Sequence, residues 1–300
     1  KPCDGQMLRS VIDRACQMQA LLASDHLRQV VGRLDKLPSL PVAYWALTRA
    51  LADSDADIDK VARIVEKDPA MSVKVMQLVN SAYFGLPQRM NSIHAAVAFL
   101  GFGMLKGLAL TASVFAAAES KAAVEGFSIE RLQRSSLLTA RVAKLLESDP
   151  RRSEDAFTAG LLHDIGKLIL AMSLPDQFAE VIRAATASGR ALFEVEREHI
   201  GVTHAEAGAY LLGVWGLPFP IVEAVAFHHT PCNAGETGFD LLAAVHIADA
   251  LVEELFYLPE GRARESALEM RFVAAIGATD AIEEWRVIAQ ELARASGGLD

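Results

Sequence analysis

The apolar residues of this 300-residue chain recur with the period of an α-helix. They are spaced by three and four residues in segments 42–51, 61–65, 73–79 and 137–146. That spacing places them along one face of a helix, and no segment alternates apolar and polar residues as a strand would. The sequence therefore predicts an all-α fold. We expect two helical bundles that meet near residues 119–128, a small and polar stretch typical of a junction.

Composition narrows the class of protein. Hydrophobic residues make up 52% of the chain and charged residues 22%, which is typical of a folded protein. The net charge of −9 disfavours binding to nucleic acid or to an anionic membrane. The three cysteines are scattered, which fits neither a disulfide framework nor a four-cysteine zinc site. We therefore expect a cytoplasmic protein.

Residues 95–118 form a long apolar segment that could be mistaken for a membrane span. Lys106 lies near its centre, where a charge is most costly in a bilayer. Gly101, Gly103 and Gly107 cluster where a spanning helix would have to be uninterrupted. The sequence therefore predicts two short buried helices that meet at a glycine-rich turn, and no membrane insertion.

Several sequence blocks follow one another in a fixed order. In the first half they are LPSLP at 37–41, EKDPAMSVKVMQLVNSAYFG at 66–85 and NSIHAAVAFLGFGMLKGLAL at 91–110. In the second half they are FTAGLLHDIGKLIL at 157–170, THAEAGAYLLGVWGLP at 203–218, FHH at 227–229 and HIADAL at 246–251. Together they resemble the HDOD domain, a bacterial helical signalling module.

This resemblance implies a domain over residues 26–300. Its N-terminal helical half would cover 26–120, and a half with the helical core of the HD superfamily, related to the HD-GYP proteins, would cover 129–300. A module of this family acts by presenting a surface to another protein. The expected partners are other signalling proteins and the chain's own receiver domain.

The amino-terminal sequence KPCDGQMLRSVIDRACQMQALL resembles the end of a response-regulator receiver domain, where a Lys-Pro pair precedes the last helix. This implies that residues 1–25 are the end of a receiver and a linker helix. We expect that helix to project from the bundle or to pair with its copy in a homodimer, which would cover Leu8, Val11 and Ile12. The alternative is an artificial start followed by an ordinary amphipathic helix.

Histidines are concentrated in one third of the chain. Six of the eight lie there, beside Asp164 and Asp249: His163, His199, His204, His228, His229 and His246. Imidazole and carboxylate are ligands of divalent zinc, iron, manganese or nickel. The residues alone leave a second reading open, in which buried His and Asp hydrogen-bond without metal, His199 is exposed, and His246 lies on a helix surface.

Resemblance to the HD phosphohydrolase superfamily implies a role for each ligand. The metal would be held by His163 and Asp164 of LLHDIGK and by Asp249, and the histidines of a second metal site would be His204 with His228 or His229. The chain departs from the pattern at Ser135, which stands where the first histidine ligand is expected. It also has TPCNAGETG at 230–238 instead of a Gly-Tyr-Pro segment.

Two functions follow from these resemblances. The favoured one is a non-catalytic output module of a response regulator in a two-component system. The alternative is a metal-dependent phosphodiesterase acting on a nucleotide such as a cyclic dinucleotide, with Lys167 as the catalytic residue. Because one ligand is replaced by serine, we expect the cluster to converge, to bind metal weakly, and to hydrolyse no phosphodiester.

Overall fold

The computed structural model describes residues 5–32, 42–51, 57–81, 84, 86, 88–119, 124–235, 238–257 and 267–296. Within these ranges every regular element is a helix, and no strand occurs. The all-α prediction is confirmed.

The described residues up to 119 form six helices: α1 Gly5–Leu22, α2 Asp25–Gly32, α3 Val42–Leu51, α4 Ile58–Glu66, α5 Pro69–Val79 and α6 Ile93–Glu119. An aspartate directly precedes α4 and another precedes α5. An aspartate at this position can accept a hydrogen bond from a backbone amide of the first helical turn. Asp57 accepts from the Lys60 amide at 2.6 Å, and Asp68 accepts from the Met71 amide at 3.0 Å. Pro69 then occupies the first helical position, where its missing N–H is not needed.

Helix α6 is broken at Gly101, whose φ of 75° and ψ of 174° are not helical. The predicted division of this segment at a glycine is therefore confirmed. By length and composition alone, Ile93–Ala112 could cross a membrane, and half of it is buried inside the protein. Gly103 leaves room for Glu154 of the C-terminal half, since a Cβ there would lie 1.8 Å from its carboxylate. Packing within the bundle thus accounts for the apolar character of α6.

From residue 124 on, the part of the chain that the structure describes forms ten α-helices: α7 Ile129–Leu146, α8 Pro150–Leu162, α9 Ile165–Ser173, α10 Pro175–Ser188, α11 Leu192–His199, α12 His204–Val214, α13 Phe219–Phe227, α14 Leu241–Tyr257, α15 Met270–Ala275 and α16 Ile282–Ala295. Helices α7 and α8 pack together, α14 lies against both, and α9 crosses α12. Helix α6 packs on α8, so one continuous apolar core runs through both halves.

Helix α1 does not project from the bundle. It packs against α12, its Met18 is buried, and its Arg14 forms an ion pair with Glu223 of α13. The side chain of Ile12 is half exposed, whereas those of Leu8 and Val11 lie outside the described residues, as do Lys1 and Pro2. A projecting helix is therefore wrong for this chain, and pairing with a second copy stays a prediction.

Candidate metal centre

Five of the histidines and aspartates of the candidate site lie at four helix ends, and the sixth lies inside a helix. His163 directly follows α8, Asp164 precedes the first residue of α9, and His204 is the first residue of α12. His228 and His229 follow α13, and Asp249 lies within α14. The structure brings all six together: His163, Asp164, His204, His228, His229 and Asp249.

Close backbone contact between α9 and α12 places two of these residues. A Cβ on Gly166 would lie 1.8 Å from the His204 carbonyl oxygen and 2.7 Å from the Gly208 amide nitrogen. Only glycine fits at such a crossing. The glycine of LLHDIGK thus sets Asp164 Oδ1 3.1 Å from His204 Nε2.

His163 lies between two carboxylates. Its Nε2 is 3.0 Å from Asp249 Oδ1 and 3.4 Å from Asp164 Oδ2, and its Nδ1 donates to the Gly160 carbonyl at 2.7 Å. Burial alone would lower the pKa of His163, but Asp164 and Asp249 together raise it to about 10. Without metal, the imidazolium of His163 therefore neutralises part of the aspartate charge.

His204 is fixed by Glu196, a buried residue of α11 that sequence reasoning missed. Glu196 Oε2 accepts from His204 Nδ1 at 2.7 Å and from the His204 amide at 2.8 Å. Burial would lower the pKa of His204, and Glu196 raises it to about 9. Helical spacing could have predicted that Glu196 is buried, because Glu196 falls on the same buried face as Val195 and Ile200.

His228 and His229 remain neutral. Burial and the neighbouring His163 lower the pKa of His228 to about 3, and burial with His228 lowers the pKa of His229. His228 Nδ1 donates to the Val225 carbonyl at 2.8 Å, and its Nε2 is 3.9 Å from Asp164 Oδ1. A neutral imidazole with one nitrogen turned to the cluster is the form that binds metal.

The other two histidines of this region do not join the cluster. His199 is exposed. His246 is buried, so the alternative interpretation that it lies on a helix surface is wrong. Its Nδ1 donates to the His228 carbonyl at 2.6 Å, and its Nε2 accepts from the Glu269 amide at 3.0 Å. His246 therefore fixes the backbone that carries His228, because α13 ends beside α14.

Ser135 and Lys167 line a cavity of about 200 Å³ that also reaches Asp164 and Asp249. The hydroxyl of Ser135 donates to the Leu132 carbonyl of its own helix at 3.0 Å. Lys167 Nζ lies 2.5 Å from Asp164 Oδ2. Burial would raise the pKa of Asp164, but Lys167 and His163 hold it well below its usual value.

The side chains fit a divalent metal ion. Among the described residues, His163 Nε2, His228 Nε2 and Asp164 Oδ1 are buried without a hydrogen bond of proper geometry, although other members of the cluster lie within 3.9 Å. Buried polar atoms are normally satisfied, so these three atoms, which all belong to the cluster, indicate a place for a ligand. Two groups have donor atoms within 4.8 Å of one another: Asp164, His204, His228 and His229; and His163, His228 and Asp249.

Curated relatives match the chain over different lengths. A protein of Treponema pallidum described as uncharacterized is 25% identical over 256 residues, which are 84% of this chain and 49% of that protein. The Bacillus subtilis protein YuxH, also described as uncharacterized, is 30% identical over 64 residues, or 21% of this chain and 16% of that protein. The chain therefore spans about half the length of the first relative and less of the second.

Solved structures share the fold. An HDOD domain protein of unknown function from Geobacter sulfurreducens superposes with a TM-score of 0.69 at 22% identity, covering 91% of this chain and 98% of that one. A protein of Shewanella amazonensis described as a "Putative phosphohydrolase" gives 0.68 at 25% identity, covering 92% and 97%. The fold is thus that of HDOD and HD-like proteins.

The sequence model of one domain matches the greater part of the chain. It is the model of the HDOD domain, and it matches residues 37–231, a range that includes five of the six clustered residues. This chain belongs to the HDOD family.

Proposed function

We propose that the chain is a non-catalytic regulatory output module that acts by binding other proteins. One observation carries this proposal: groups of the protein already occupy the positions around the cluster. Lys167 is paired with Asp164, His163 lies between Asp164 and Asp249, and the Ser135 hydroxyl is bonded to its own helix. The buried charges are balanced without a cofactor, so the arrangement suits a stable domain core.

A divalent ion of zinc, iron, manganese or nickel fits the same side chains. By the family resemblance, His163, Asp164 and Asp249 would hold it, and His204 with His228 or His229 would serve a second ion. The donor atoms within 4.8 Å of one another divide differently: Asp164 groups with His204, His228 and His229, and His163 groups with His228 and Asp249. A bound ion supplies Lewis-acid chemistry, and catalysis requires that it be firmly held with one open position. Because Ser135 offers a neutral hydroxyl where a histidine is expected, the set is one ligand short.

Partner binding is supported by exposed apolar side chains on neighbouring helices of the N-terminal half. Trp45 of α3 is 52% exposed, Phe99 of α6 is 48% exposed, and Val73 of α5 is also exposed. Both α3 and α5 pack against α6. Aromatic side chains are enriched at protein interfaces, and they contribute much of the binding free energy there. The partners we propose are cytoplasmic signalling proteins, among them a receiver domain of the same response regulator.

Site-specific photo-crosslinking in living cells tests this function. A photoreactive phenylalanine analogue is placed at position 45 or 99, and at exposed Glu180 on α10 as a control. We expect a discrete protein adduct at positions 45 and 99 that is absent at position 180. Equal labelling at all three positions would contradict a protein-binding role for Trp45 and Phe99.

The second candidate function is a metal-dependent phosphodiesterase. The three unsatisfied buried atoms favour it, since they suit an ion. The description of the Shewanella relative as a phosphohydrolase points the same way. A turnover measurement separates the two functions, because only the enzyme would release product in a manner that depends on His163.

A further inference from the structure

Arg14 of α1 binds two carboxylates, one in α13 and one directly before α14. Its Nε donates to Glu223 Oε1 at 2.6 Å, its Nη2 contacts Glu223 Oε2, and the same Nη2 donates to Asp240 Oδ2 at 3.2 Å. The side chains of Arg14 and Glu223 are only 15% and 3% exposed. We call these three residues the Arg14 bridge. Such a buried, forked pair is stronger than a surface ion pair.

The partners of Arg14 lie in or beside the two helices that position part of the candidate metal site. Glu223 is in α13, five residues before His228. Asp240 precedes α14, where its carboxylate accepts from the Ala243 amide at 3.1 Å, and α14 carries Asp249. Helices α13 and α14 pack together. The Arg14 bridge therefore joins the two helices that position the histidine pair and the last aspartate.

Besides the Arg14 bridge, the described side chains of α1 that pack on the core are those of Met18, Leu21 and Leu22. Met18 is buried, and Leu22 lies against Gly213 of α12, where a Cβ would come within 3.2 Å of it. Ile12 is largely exposed. Elements with little buried apolar surface open at a lower free energy than the core. We therefore expect α1 to open at a lower free energy than the rest of the bundle.

We propose that docking of α1 is coupled to the geometry of the His/Asp cluster through the Arg14 bridge. This inference rests on the proposed regulatory function and names a route by which the site is regulated. When α1 detaches, Glu223 and Asp240 lose the cation between them, and their like charges repel across the contact of α13 with α14. That repulsion loosens the C-terminal end of α13, which directly precedes His228 and His229.

Hydrogen–deuterium exchange tests the coupling on the whole chain, without metal. We expect Arg14→Gln to speed exchange in α1. Exchange should also become about five- to tenfold faster at residues 226–230 and in the first turn of α14, which is the lower end of the range of coupling factors between sites. Arg28→Gln is the matched control, since Arg28 is exposed and pairs only loosely with Asp25 at 3.6 Å. Faster exchange in α1 alone, or in neither region, would overturn the proposal.

A second variant separates repulsion from a general loss of packing. Arg14→Gln combined with Asp240→Asn removes one of the two like charges and keeps a residue able to cap α14. Exchange at residues 226–230 should return toward the value of the unaltered protein, while α1 stays loose. If both regions stay equally fast, repulsion within the bridge is not the cause and the proposed route is wrong.

Zinc binding provides the reciprocal measurement, because coupling between two sites is symmetric. Arg14→Gln should raise the dissociation constant for Zn²⁺ about five- to tenfold, and Zn²⁺ should slow exchange in α1 of the unaltered protein. Equal Zn²⁺ affinity in both proteins overturns the coupling. If Zn²⁺ binds to neither protein, the hydrogen–deuterium exchange experiment alone tests the coupling. Phosphodiester turnover would refute the non-catalytic function and leave the coupling intact, so the two failures are distinguishable.

Discussion

At the residue scale, the candidate site is a group of buried charges that compensate one another. Asp164, Asp249 and Glu196 supply the negative charges, and His163, His204 and Lys167 supply the positive ones. A buried charge without a partner costs several kcal/mol, so each of these groups needs the others. A metal ion can enter only by replacing protons or Lys167.

This competition predicts that Zn²⁺ affinity rises with pH. The folded-state pKa of His163 is about 10, above its ordinary value, so its protonated form stabilises the metal-free protein at low pH and this stabilisation is lost as pH rises through that value. Zn²⁺ must displace that proton. The dissociation constant should fall by up to about tenfold per pH unit between about pH 6.5 and 8.5. Titration calorimetry at both pH values checks it, and a pH-independent constant would contradict it.

Ser135 is the position at which the ligand set is short. Ser135→His places an imidazole on the wall of the cavity that reaches Asp164 and Asp249, so it should tighten Zn²⁺ binding about tenfold or more. Thr186→His is the matched control, because Thr186 lines the same cavity from α10. Equal tightening by both variants would show that any added histidine suffices, and that Ser135 does not stand at a ligand position.

At the element scale, the contact of α9 with α12 determines where Asp164 and His204 meet. The two backbones touch at Gly166, and a side chain there has no space. This contact explains why glycine occupies position 166, two residues after Asp164.

Gly166→Ala should separate the two helices and lower the free energy of unfolding by about 3 kcal/mol. Urea denaturation measures the change. Gly32→Ala at the end of α2 is the control, since no described atom lies within 4 Å of its Cβ, and it should leave stability unchanged or slightly raised. A Gly166→Ala protein as stable as the control would show that the helices can move apart freely.

The sequence could predict elements better than contacts between them. Helical spacing identified the all-α class, and the glycine cluster identified the break at Gly101, because both are local properties. The docking of α1 was missed, since the partners of Arg14 lie 209 and 226 residues away. Glu196 was missed because Glu194 and Glu198 beside it are ordinary exposed residues of α11. The convergence of the six site residues followed from the family resemblance, not from their spacing.

At the scale of the whole molecule, one core joins an N-terminal half with exposed apolar side chains to a C-terminal half with the His/Asp cluster. Helix α6 packs on α8, which leads directly to His163. The proposed regulatory function would use this continuous apolar core to couple the two halves. Under that proposal the cluster would stabilise the fold and regulate it, without catalysing a reaction.

The most direct test of this account is phosphodiester hydrolysis by the unaltered protein. The chain is incubated with Fe²⁺, Mn²⁺, Zn²⁺ or Ni²⁺ in turn and with a cyclic dinucleotide, and product is separated by chromatography. The account predicts no product above that of the same metal ion without protein, because the cluster lacks a histidine at Ser135 and Lys167 is held by Asp164. Turnover that is lost in the His163→Ala variant would contradict it.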